Sequence, residues 1–234
     1  MDFPELVYGR LIKRYKRFFV DVELEDGQLV TAHCANTGSM KSILDPAPRC
    51  WLSRARPGRK LAYTWEVAEQ GDTRIYVNPA GANRVVAEAL QRGVVEELRG
   101  YDVIQPEVKY GTGSRVDFVL SGARGRAFVE VKNVTLGYGD GRVAFPDAVT
   151  ERGTKHLREL CEIAKSGERA VLLFCVSRTD ALTVHAASEI DALYAATLAE
   201  VARSGVEILA YGGAVTPGGF TLAQKLPVVV PVLG

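Results

Sequence analysis

The stretch 114–132, SRVDFVLSGARGRAFVEVK, contains the pattern from which the fold of this chain follows. Two runs rich in β-branched and aromatic residues flank the Gly-containing segment SGARGR, a pattern typical of two strands joined by a tight turn. A hairpin centred in the middle of SGARGR places Asp117 directly opposite Glu130. Residues paired in this way have Cβ atoms roughly 4.5–5.5 Å apart. The sequence therefore predicts two carboxylates facing each other across adjacent strands.

Regular alternation along both strands brings three functional side chains to one face of the sheet. Asp117 projects from the first strand, and Glu130 and Lys132 project together from the second. Two carboxylates this close repel each other unless a cation lies between them, and hard oxygen ligands with open water positions suit Mg²⁺. The opposite face of the first strand is predicted to hold Val116, Phe118 and Leu120.

Lys132 adds a catalytic group to the two acids. It lies two residues beyond Glu130 on the same face, roughly 6–7 Å along the strand. From there its ammonium can orient or help deprotonate a water and balance the charge that builds up on phosphorus. The three residues predict metal-assisted phosphodiester hydrolysis. The plainer interpretation is that this spacing arises by chance and that the Glu-x-Lys face is simply solvated.

Composition sets few limits on the partner but several on the class of protein. The 234 residues carry 29 Lys and Arg against 28 Asp and Glu, so any attraction to a polyanion must come from local clusters. No apolar run reaches the roughly 18 residues of a membrane span. A soluble cytoplasmic protein without a membrane partner is predicted. Four scattered cysteines read as buried thiols in a reducing compartment: Cys34, Cys50, Cys161 and Cys175.

The N-terminal part has the texture of a small all-β unit. From Leu11 to Tyr76, short alternating runs are broken by turn residues, which indicates five or so strands in an antiparallel barrel or sandwich. The segment NPAGAN at 78–83 breaks this pattern, so we predict one domain over residues 1–82 and a second over residues 83–234. In the first run the predicted core face consists of Phe18, Val20, Val22 and Leu24.

The C-terminal part is predicted to be a mixed α/β domain. Its order is helix, three strands, helix, strand, helix, strand, and the apolar run 170–176 reads as a central strand buried on both faces. The first helix shows apolar residues at steps of four and has Gly100 as its stop. The three helices are expected at about 84–98, 150–165 and 190–204.

Basic and aromatic residues cluster in the N-terminal unit and predict a nucleic-acid surface. Basic side chains release counterions from phosphates, and interleaved aromatic rings can stack on bases. Phe19 lies on the polar side of its strand and is a better stacking candidate than Phe18. The alternative is that the rings close the barrel core and the charges merely keep it soluble. The predicted contacts are Lys13, Arg14, Tyr15, Lys16, Arg17, Phe19, Arg54, Arg56, Arg59 and Lys60.

The order of elements around Asp117 and the Glu130-x-Lys132 pattern resembles the PD-(D/E)xK nuclease core. This resemblance implies a metal ion held by Asp117, Glu130 and the backbone carbonyl of Val131. The proline-aspartate half of the motif is Val116-Asp117 here, which departs from the pattern.

Several longer blocks resemble the sugar fermentation stimulation protein family, and the likeness covers nearly the whole chain. The resemblance implies an N-terminal OB-type barrel, a restriction-endonuclease-like C-terminal domain and DNA binding of low sequence specificity. It does not establish turnover. The blocks are GRLIKRYKRFFVDVEL, TAHCANTGSM, EVKYGTGSRVDF, VEVKNVTL and FPDAVTERGTKHLREL.

Supporting groups are expected from two helices. Nuclease folds of this type often take a further carboxylate from the first helix, and of Glu88, Glu96 and Glu97 we choose Glu97, although an exposed helix acid explains each equally well. On the second helix, one face is predicted to contact phosphate or position a water, with a solvated basic face as the alternative. That face carries Arg152, Lys155 and His156.

Three hypotheses of function follow from these features. The first is a nuclease that grips DNA, single- or double-stranded, or RNA, and uses Mg²⁺ or Mn²⁺ at Asp117, Glu130 and Lys132. The second is a non-catalytic DNA-binding regulator of sugar or maltose metabolism that retains a nuclease scaffold. The third is a small-molecule sensor, for which the residues form no recognisable sugar pocket. Two opposed carboxylates favour the first, since binding alone gains nothing from their repulsion.

Overall fold

The computed structural model describes residues 1–110 and 114–231. The family block EVKYGTGSRVDF therefore includes three positions, 111–113, that lie outside the described residues. The N-terminal strands are β1 (Leu6–Tyr15), β2 (Phe19–Leu24), β3 (Leu29–His33), β4 (Arg49–Arg54), β5 (Tyr63–Gln70) and β6 (Thr73–Tyr76), with a short helix α1 (Lys41–Leu44) before β4.

The N-terminal strands form a closed barrel. They lie in the order β3-β2-β1-β4-β5-β6, and an additional parallel pairing between β3 and β5 closes five of them into a ring, with β6 attached to β5. The predicted OB-type barrel is confirmed, although the sequence did not reveal β1 as a strand. Its basic residues masked the alternation of Leu11 with its neighbours.

The predicted core face of the first run is correct for three residues and wrong for one. Val20, Val22 and Leu24 are buried, whereas Phe18 is 46% exposed. Lys16 and Arg17 have positive φ angles of 49° and 63°, so the turn between β1 and β2 extends to Phe18. Alternation does not apply to a residue outside the strand.

The C-terminal part contains two sheets and three helices. The helices are α2 (Ala82–Gln91), α3 (Glu151–Lys165) and α4 (Ala192–Arg203). The strands are β7 (Val103–Tyr110), β8 (Ser114–Gly122), β9 (Gly125–Val134), β10 (Leu136–Gly137), β11 (Arg142–Phe145), β12 (Arg169–Val176), β13 (Thr183–Ala186), β14 (Glu207–Thr216), β15 (Gly219–Lys225) and β16 (Val228–Val229).

The larger sheet has the order β15-β14-β12-β9-β8-β7, with β9, β12 and β14 parallel and the outer strands antiparallel. Helix α2 packs on one face in an apolar cluster that also includes Phe118 and Val129. Helices α3 and α4 pack on the other face in a second cluster with Phe128 and Leu172. The predicted mixed sheet flanked by helices is confirmed. The sequence missed the smaller sheet, β10-β11-β13-β16, because its strands have only two to four residues.

Two of the three predicted helices have nearly the expected bounds. Thr150 precedes α3 as its N-cap, since its hydroxyl accepts from the backbone N–H of Gly153 at 3.0 Å. The first helix is shorter than predicted and ends at Gln91, because Gly93 adopts a left-handed φ of 64°. Glu96–Leu98 forms a separate 3₁₀ turn.

Barrel and sheet are joined by backbone hydrogen bonds and by a shared apolar cluster. Tyr76 donates its N–H to the carbonyl of Ser177 at 2.8 Å, and Thr179 donates to the carbonyl of Arg74 at 3.1 Å. Trp51 of the barrel belongs to the same apolar cluster as α2 and the larger sheet. The division at residues 82 and 83 stays a prediction.

Two further expectations concern burial and length. All four cysteines are buried, as predicted from their apolar surroundings, and none forms a disulfide. Across the described residues, 1–110 and 114–231, no helix is long and apolar enough to cross a membrane.

Candidate active site

The β8–β9 hairpin has the register that the sequence predicts. Gly122 pairs with Gly125 and Phe118 with Val129, so the next position along each strand brings Asp117 opposite Glu130. The backbone pairing stops at Phe118, and the Oδ2 atom of Asp117 accepts a hydrogen bond from the N–H of Val131 at 2.7 Å. The side chain of Asp117 thus supplies a hydrogen-bond acceptor to a backbone N–H of β9, beyond the point where the backbone pairing stops.

Regular alternation fails at Asp117, and the predicted position of Val116 is wrong. Val116 packs in the apolar cluster beneath α3, whereas Phe118 packs in the cluster beneath α2. The pairing between β7 and β8 is interrupted at the same level, because Glu107 has a φ of 54° and pairs with no residue of β8. Both strands change faces at this level, since Ile104 of β7 packs against the cluster beneath α2 and Val108 packs against the cluster beneath α3.

The acids lie in a cleft of about 550 Å³ between the β8–β9 hairpin and α3. The predicted trio of Asp117, Glu130 and Lys132 is brought together there, with carboxylates at the floor and basic side chains at the rim. The lining residues are Glu107, Arg115, Asp117, Glu130, Val131, Lys132, Arg152, Lys155 and His156.

Glu130 is the more deeply buried acid, at 3% exposure. Its Oε1 atom accepts from the Nζ of Lys132 at 2.7 Å and also contacts the Nδ1 of His156. Burial raises the pKa of this carboxyl, but the hydrogen bond from His156 and the charge of Lys132 outweigh burial, so its pKa lies below the usual value. Glu130 is therefore held ionised.

Asp117 has different partners and the opposite shift. Its Oδ1 accepts from the Nδ2 of Asn83 at 2.8 Å, and its Oδ2 accepts from the N–H of Val131. Burial and the charge of Glu130 raise the pKa of Asp117, and the two neutral donors oppose that shift incompletely. A positive charge added beside Asp117 is electrostatically favoured.

Helix α3 supplies one supporting side chain to the floor of the cleft and two to its rim. His156 is buried and contacts Glu130 through Nδ1, while its Nε2 accepts from the Nε of Arg152 at 3.3 Å. This pattern assigns the imidazole proton to Nδ1. Lys155 is exposed at the rim and pairs with Glu159 at 3.6 Å. The predicted functional roles of these three residues stay predictions.

The structure does not bring Glu97, chosen from the sequence as a further carboxylate, to the site. Glu97 lies on the 3₁₀ turn beyond α2, where its Oε2 accepts from the hydroxyl of Tyr211 at 2.7 Å and its Oε1 pairs with Lys225 at 2.5 Å. It does not line the cleft. The early end of α2 at Gly93 sends the chain toward β14 and β15 instead.

Two residues near the acids were not predicted from the sequence. Asn83 bonds to Asp117 from the first turn of α2, but it ends the segment NPAGAN, which reads as a linker. Glu107 lines the cleft, but it follows Pro106 within a strand-like run and carries no local signal of function. The family block that begins at Glu107 was the available signal.

The basic clusters of the barrel lie at one end of it. Arg54 ends β4 beside Tyr63, which begins β5 and pairs with the end of β3. The last residue of β3, His33, pairs with Phe19 at the start of β2. These contacts bring the turn after β1 near the loop after β4, although about 40 residues separate them. The exposed basic residues at this end are Lys13, Lys16, Arg17, Arg54, Arg56, Arg59 and Lys60.

Several predicted contacts at this end of the barrel have partners within the chain, including Lys13, which pairs with Asp21 at 3.4 Å, and Arg54, which donates to the hydroxyl of Tyr63 at 3.4 Å. The guanidinium of Arg14 donates to the carbonyl oxygens of Asn36 at 2.8 Å and Gly38 at 3.0 Å, so it braces a turn of the barrel. Tyr15 and Phe19 stack on each other with ring centroids 5.5 Å apart. Phe18 is the more exposed of the two phenylalanine rings, and the choice of Phe19 as the stacking residue stays a prediction.

Comparisons with known proteins agree with this architecture. Residues 12–77 match the family model described as "SfsA N-terminal OB domain", and residues 80–219 match "Sugar fermentation stimulation protein RE domain". Curated relatives named "Sugar fermentation stimulation protein homolog" come from Pelobacter propionicus and Maricaulis maris. They are 50% and 53% identical over 231 residues, covering 98% and 97% of this chain and 100% and 98% of the relatives.

The chain belongs to the sugar fermentation stimulation protein family. The predicted family is therefore confirmed. A solved structure of the family, from Pyrococcus furiosus and in complex with Ca²⁺, matches with a TM-score of 0.88 at 23% identity over 98% of both chains. This match shows that the family fold is shared along nearly the whole length.

Proposed function

We propose that this protein binds nucleic acid and hydrolyses phosphodiester bonds in the cleft with the help of Mg²⁺ or Mn²⁺. One observation carries the proposal: Asp117 and Glu130 oppose each other at the floor of a cleft whose rim is basic. Two acids that face each other, one buried and one half-buried, repel each other without a cation, and a binding surface for a polyanion gains nothing from that repulsion.

The chemistry of the donors fits a hard divalent cation. Each oxygen of Asp117 accepts one hydrogen bond, which leaves a second lone pair on each for a metal ion. Glu130 and Val131 line the same cleft, and we propose the backbone carbonyl of Val131 as a further ligand. Within residues 1–110 and 114–231, no group of three His, Cys, Asp or Glu side chains is placed to hold a metal. With two carboxylates and one backbone carbonyl as its proposed ligands, the site would leave the remaining positions to water, as Mg²⁺ prefers.

The proposed reaction is attack of a water oxygen on phosphorus with cleavage of one P–O ester bond. The bound cation would supply charge neutralisation and lower the pKa of the attacking water. We propose that Lys132, whose ammonium lies 2.7 Å from Glu130, orients that water and balances charge on the phosphate oxygens. The departing oxygen takes up a proton, so a free hydroxyl and a phosphate monoester result.

Basic residues on both parts of the molecule support nucleic acid as the substrate. Arg115, Arg152 and Lys155 line the cleft, and the basic residues of the barrel share one end of it. The net charge of the chain is only +1, so the attraction is concentrated in these places. The proposal covers DNA, single- or double-stranded, and RNA.

The relative from Pyrococcus furiosus supports a divalent cation in this family, since it is described in complex with Ca²⁺. Ca²⁺ and Mg²⁺ both prefer oxygen ligands. Mn²⁺ also accepts carboxylate, carbonyl and water ligands. We therefore propose Mg²⁺ or Mn²⁺ at Asp117 and Glu130 of this chain.

A specific observation favours the rival function, a DNA-binding regulator without turnover. Lys132 and His156 already surround the Oε1 of Glu130, which leaves that acid partly neutralised without a metal ion. In such a protein the cleft would serve only as a binding surface. Metal-dependent cutting distinguishes the two functions.

The test is incubation of the purified protein with plasmid DNA and with single-stranded DNA in Mn²⁺. We expect cutting by the wild type and by Asp140→Ala, which removes an exposed carboxylate outside the cleft, and no cutting by Asp117→Ala. Binding by Asp117→Ala should be intact or tighter, because the loss of a carboxylate reduces repulsion of phosphate. Cutting by both wild type and Asp117→Ala, or by neither, counts against the nuclease.

A further inference from the structure

Asn83 contacts Asp117, one of the two acids proposed to hold the cation. Its Nδ2 donates to the Oδ1 of Asp117 at 2.8 Å, while the N–H of Val131 holds the Oδ2 at 2.7 Å. We infer that Asn83 is a positioning residue, which fixes the carboxylate plane of Asp117 so that its remaining lone pairs face a divalent cation in the cleft. This inference rests on the metal site of the proposed function.

The donor is an amide for a physical reason. An ionised carboxylate only accepts hydrogen bonds, so Asn83 must turn its NH₂ group toward Asp117. An acid at this position would repel Asp117, and a basic side chain would compete with the metal ion. An amide orients the carboxylate without changing the charge of the pair. Helix α2 thus contributes a neutral donor where a carboxylate was predicted from the sequence.

Asn83 is itself held in place from both directions along the chain. Downstream, Val85 and Val86 are buried in the cluster that joins α2 to the sheet. Upstream, the Nδ2 of Asn78 donates to the Oε2 of Glu66 at 2.9 Å. Glu66 lies on β5 and is 9% exposed, so the linker before α2 is anchored on the barrel. A donor on such a supported element holds its partner in a defined orientation.

The experiment compares Mn²⁺ affinity, measured by electron paramagnetic resonance of free Mn²⁺, in the full-length protein without nucleic acid. Asn83→Leu keeps the size of the side chain but removes the donor, and we expect binding about 10–100-fold weaker. Asn83→Gln retains an amide donor and should recover part of the affinity. Gln91→Leu removes an exposed amide from the last turn of the same helix and should bind like the wild type.

A third substitution, Asn83→Ala, keeps the test valid if the apolar leucine side chain disturbs folding, since alanine favours the helix. Circular dichroism confirms that each variant is folded. Wild-type affinity in both Asn83→Leu and Asn83→Ala overturns the inference and leaves the proposed function standing. Equal weakening in Asn83→Leu and Asn83→Gln assigns the effect to packing and also overturns it. Absence of Mn²⁺ binding by the wild type overturns both proposals.

Discussion

Two acids of the same cleft, the buried Glu130 and the half-buried Asp117, have pKa shifts of opposite sign, and their partners explain the difference. Glu130 is paired with the ammonium of Lys132 and with His156, which favour its ionised form. Asp117 has two neutral donors and faces the charge of Glu130, so its pKa is raised. Asp117 is therefore the acid that an added cation stabilises most.

Substitution of Lys132 separates chemistry from metal binding. In Lys132→Met we expect the rate of hydrolysis to fall by about 10²–10⁴-fold, the range for loss of a positioned acid–base group. Mn²⁺ affinity should be retained or increased, because Lys132 no longer competes for the Oε1 of Glu130. Single-turnover cleavage and Mn²⁺ titration measure the two effects.

The matched control is Lys165→Met, which removes an exposed lysine from the last turn of α3 and should change neither quantity. A rate of cleavage in Lys132→Met equal to that of the wild type would exclude Lys132 from the reaction.

The segment after α2 shows how one turn redirects a whole element. Gly93, with a φ of 64°, ends the helix, and the 3₁₀ turn Glu96–Leu98 follows. The carboxylate of Glu97 then joins β14 through Tyr211 and β15 through Lys225. Glu97 is an anchor between elements, and its role is in stability.

The pH dependence of unfolding tests this role of Glu97. Burial raises the pKa of Glu97, but the hydrogen bonds from Lys225 and Tyr211 outweigh burial and lower it below the ordinary value. A lowered folded-state pKa stabilises the protein above the unfolded-state pKa, and this stabilisation disappears as the pH falls through the folded-state pKa. Glu97→Gln should therefore lower the free energy of unfolding by about 1–2 kcal/mol at neutral pH, and by progressively less in acid.

Urea unfolding at neutral pH and at about pH 3, below the ordinary glutamate pKa, measures this difference. Glu162→Gln, which removes a largely exposed acid from α3, is the control and should have little effect at either pH. A difference between wild type and Glu97→Gln that stays constant with pH would contradict the role assigned to the ionised carboxylate.

Barrel and sheet share buried surface, so the whole molecule is expected to unfold as a unit. Both tryptophans, Trp51 and Trp65, lie in the barrel, whereas α2, α3 and α4 lie in the C-terminal part. Tryptophan fluorescence thus reports on the barrel, and far-ultraviolet circular dichroism reports mainly on the helices. We expect the two urea transitions to coincide, because one apolar cluster includes Trp51 and α2. Separate midpoints would show independently stable domains.

At the scale of the whole molecule, the basic end of the barrel is the surface that we propose contacts nucleic acid. Arg56→Glu combined with Arg59→Glu changes two exposed residues of the loop after β4. We expect weaker binding of single- and double-stranded DNA and a binding constant that depends less on salt concentration. For duplex DNA, the slope of the logarithm of the binding constant against the logarithm of the salt concentration should become shallower by about 0.9 for each phosphate that the protein no longer neutralises. Fluorescence anisotropy at several salt concentrations measures both the affinity and its salt dependence.

The control is Arg203→Glu, which changes an exposed arginine at the end of α4. Unchanged affinity of the double variant would remove this loop from the binding surface.

Local rules suffice for the β8–β9 hairpin, and so the facing of Asp117 and Glu130 follows from the sequence alone. Turn chemistry and a two-residue period act between near neighbours, which makes the register of a short hairpin readable. The same holds for α3, whose start depends on the capping hydroxyl of Thr150. Family membership was equally readable, because long blocks of residues carry it.

Tertiary packing selects which distant residues complete the site. Asn83 is 34 residues from Asp117, and no periodicity links a helix start to a strand of the sheet. His156 is buried against Glu130 because α3 packs across β9, and Glu97 is drawn to Tyr211 because the chain turns at Gly93. Such contacts depend on how elements pack together, and packing depends on all the residues that share a core.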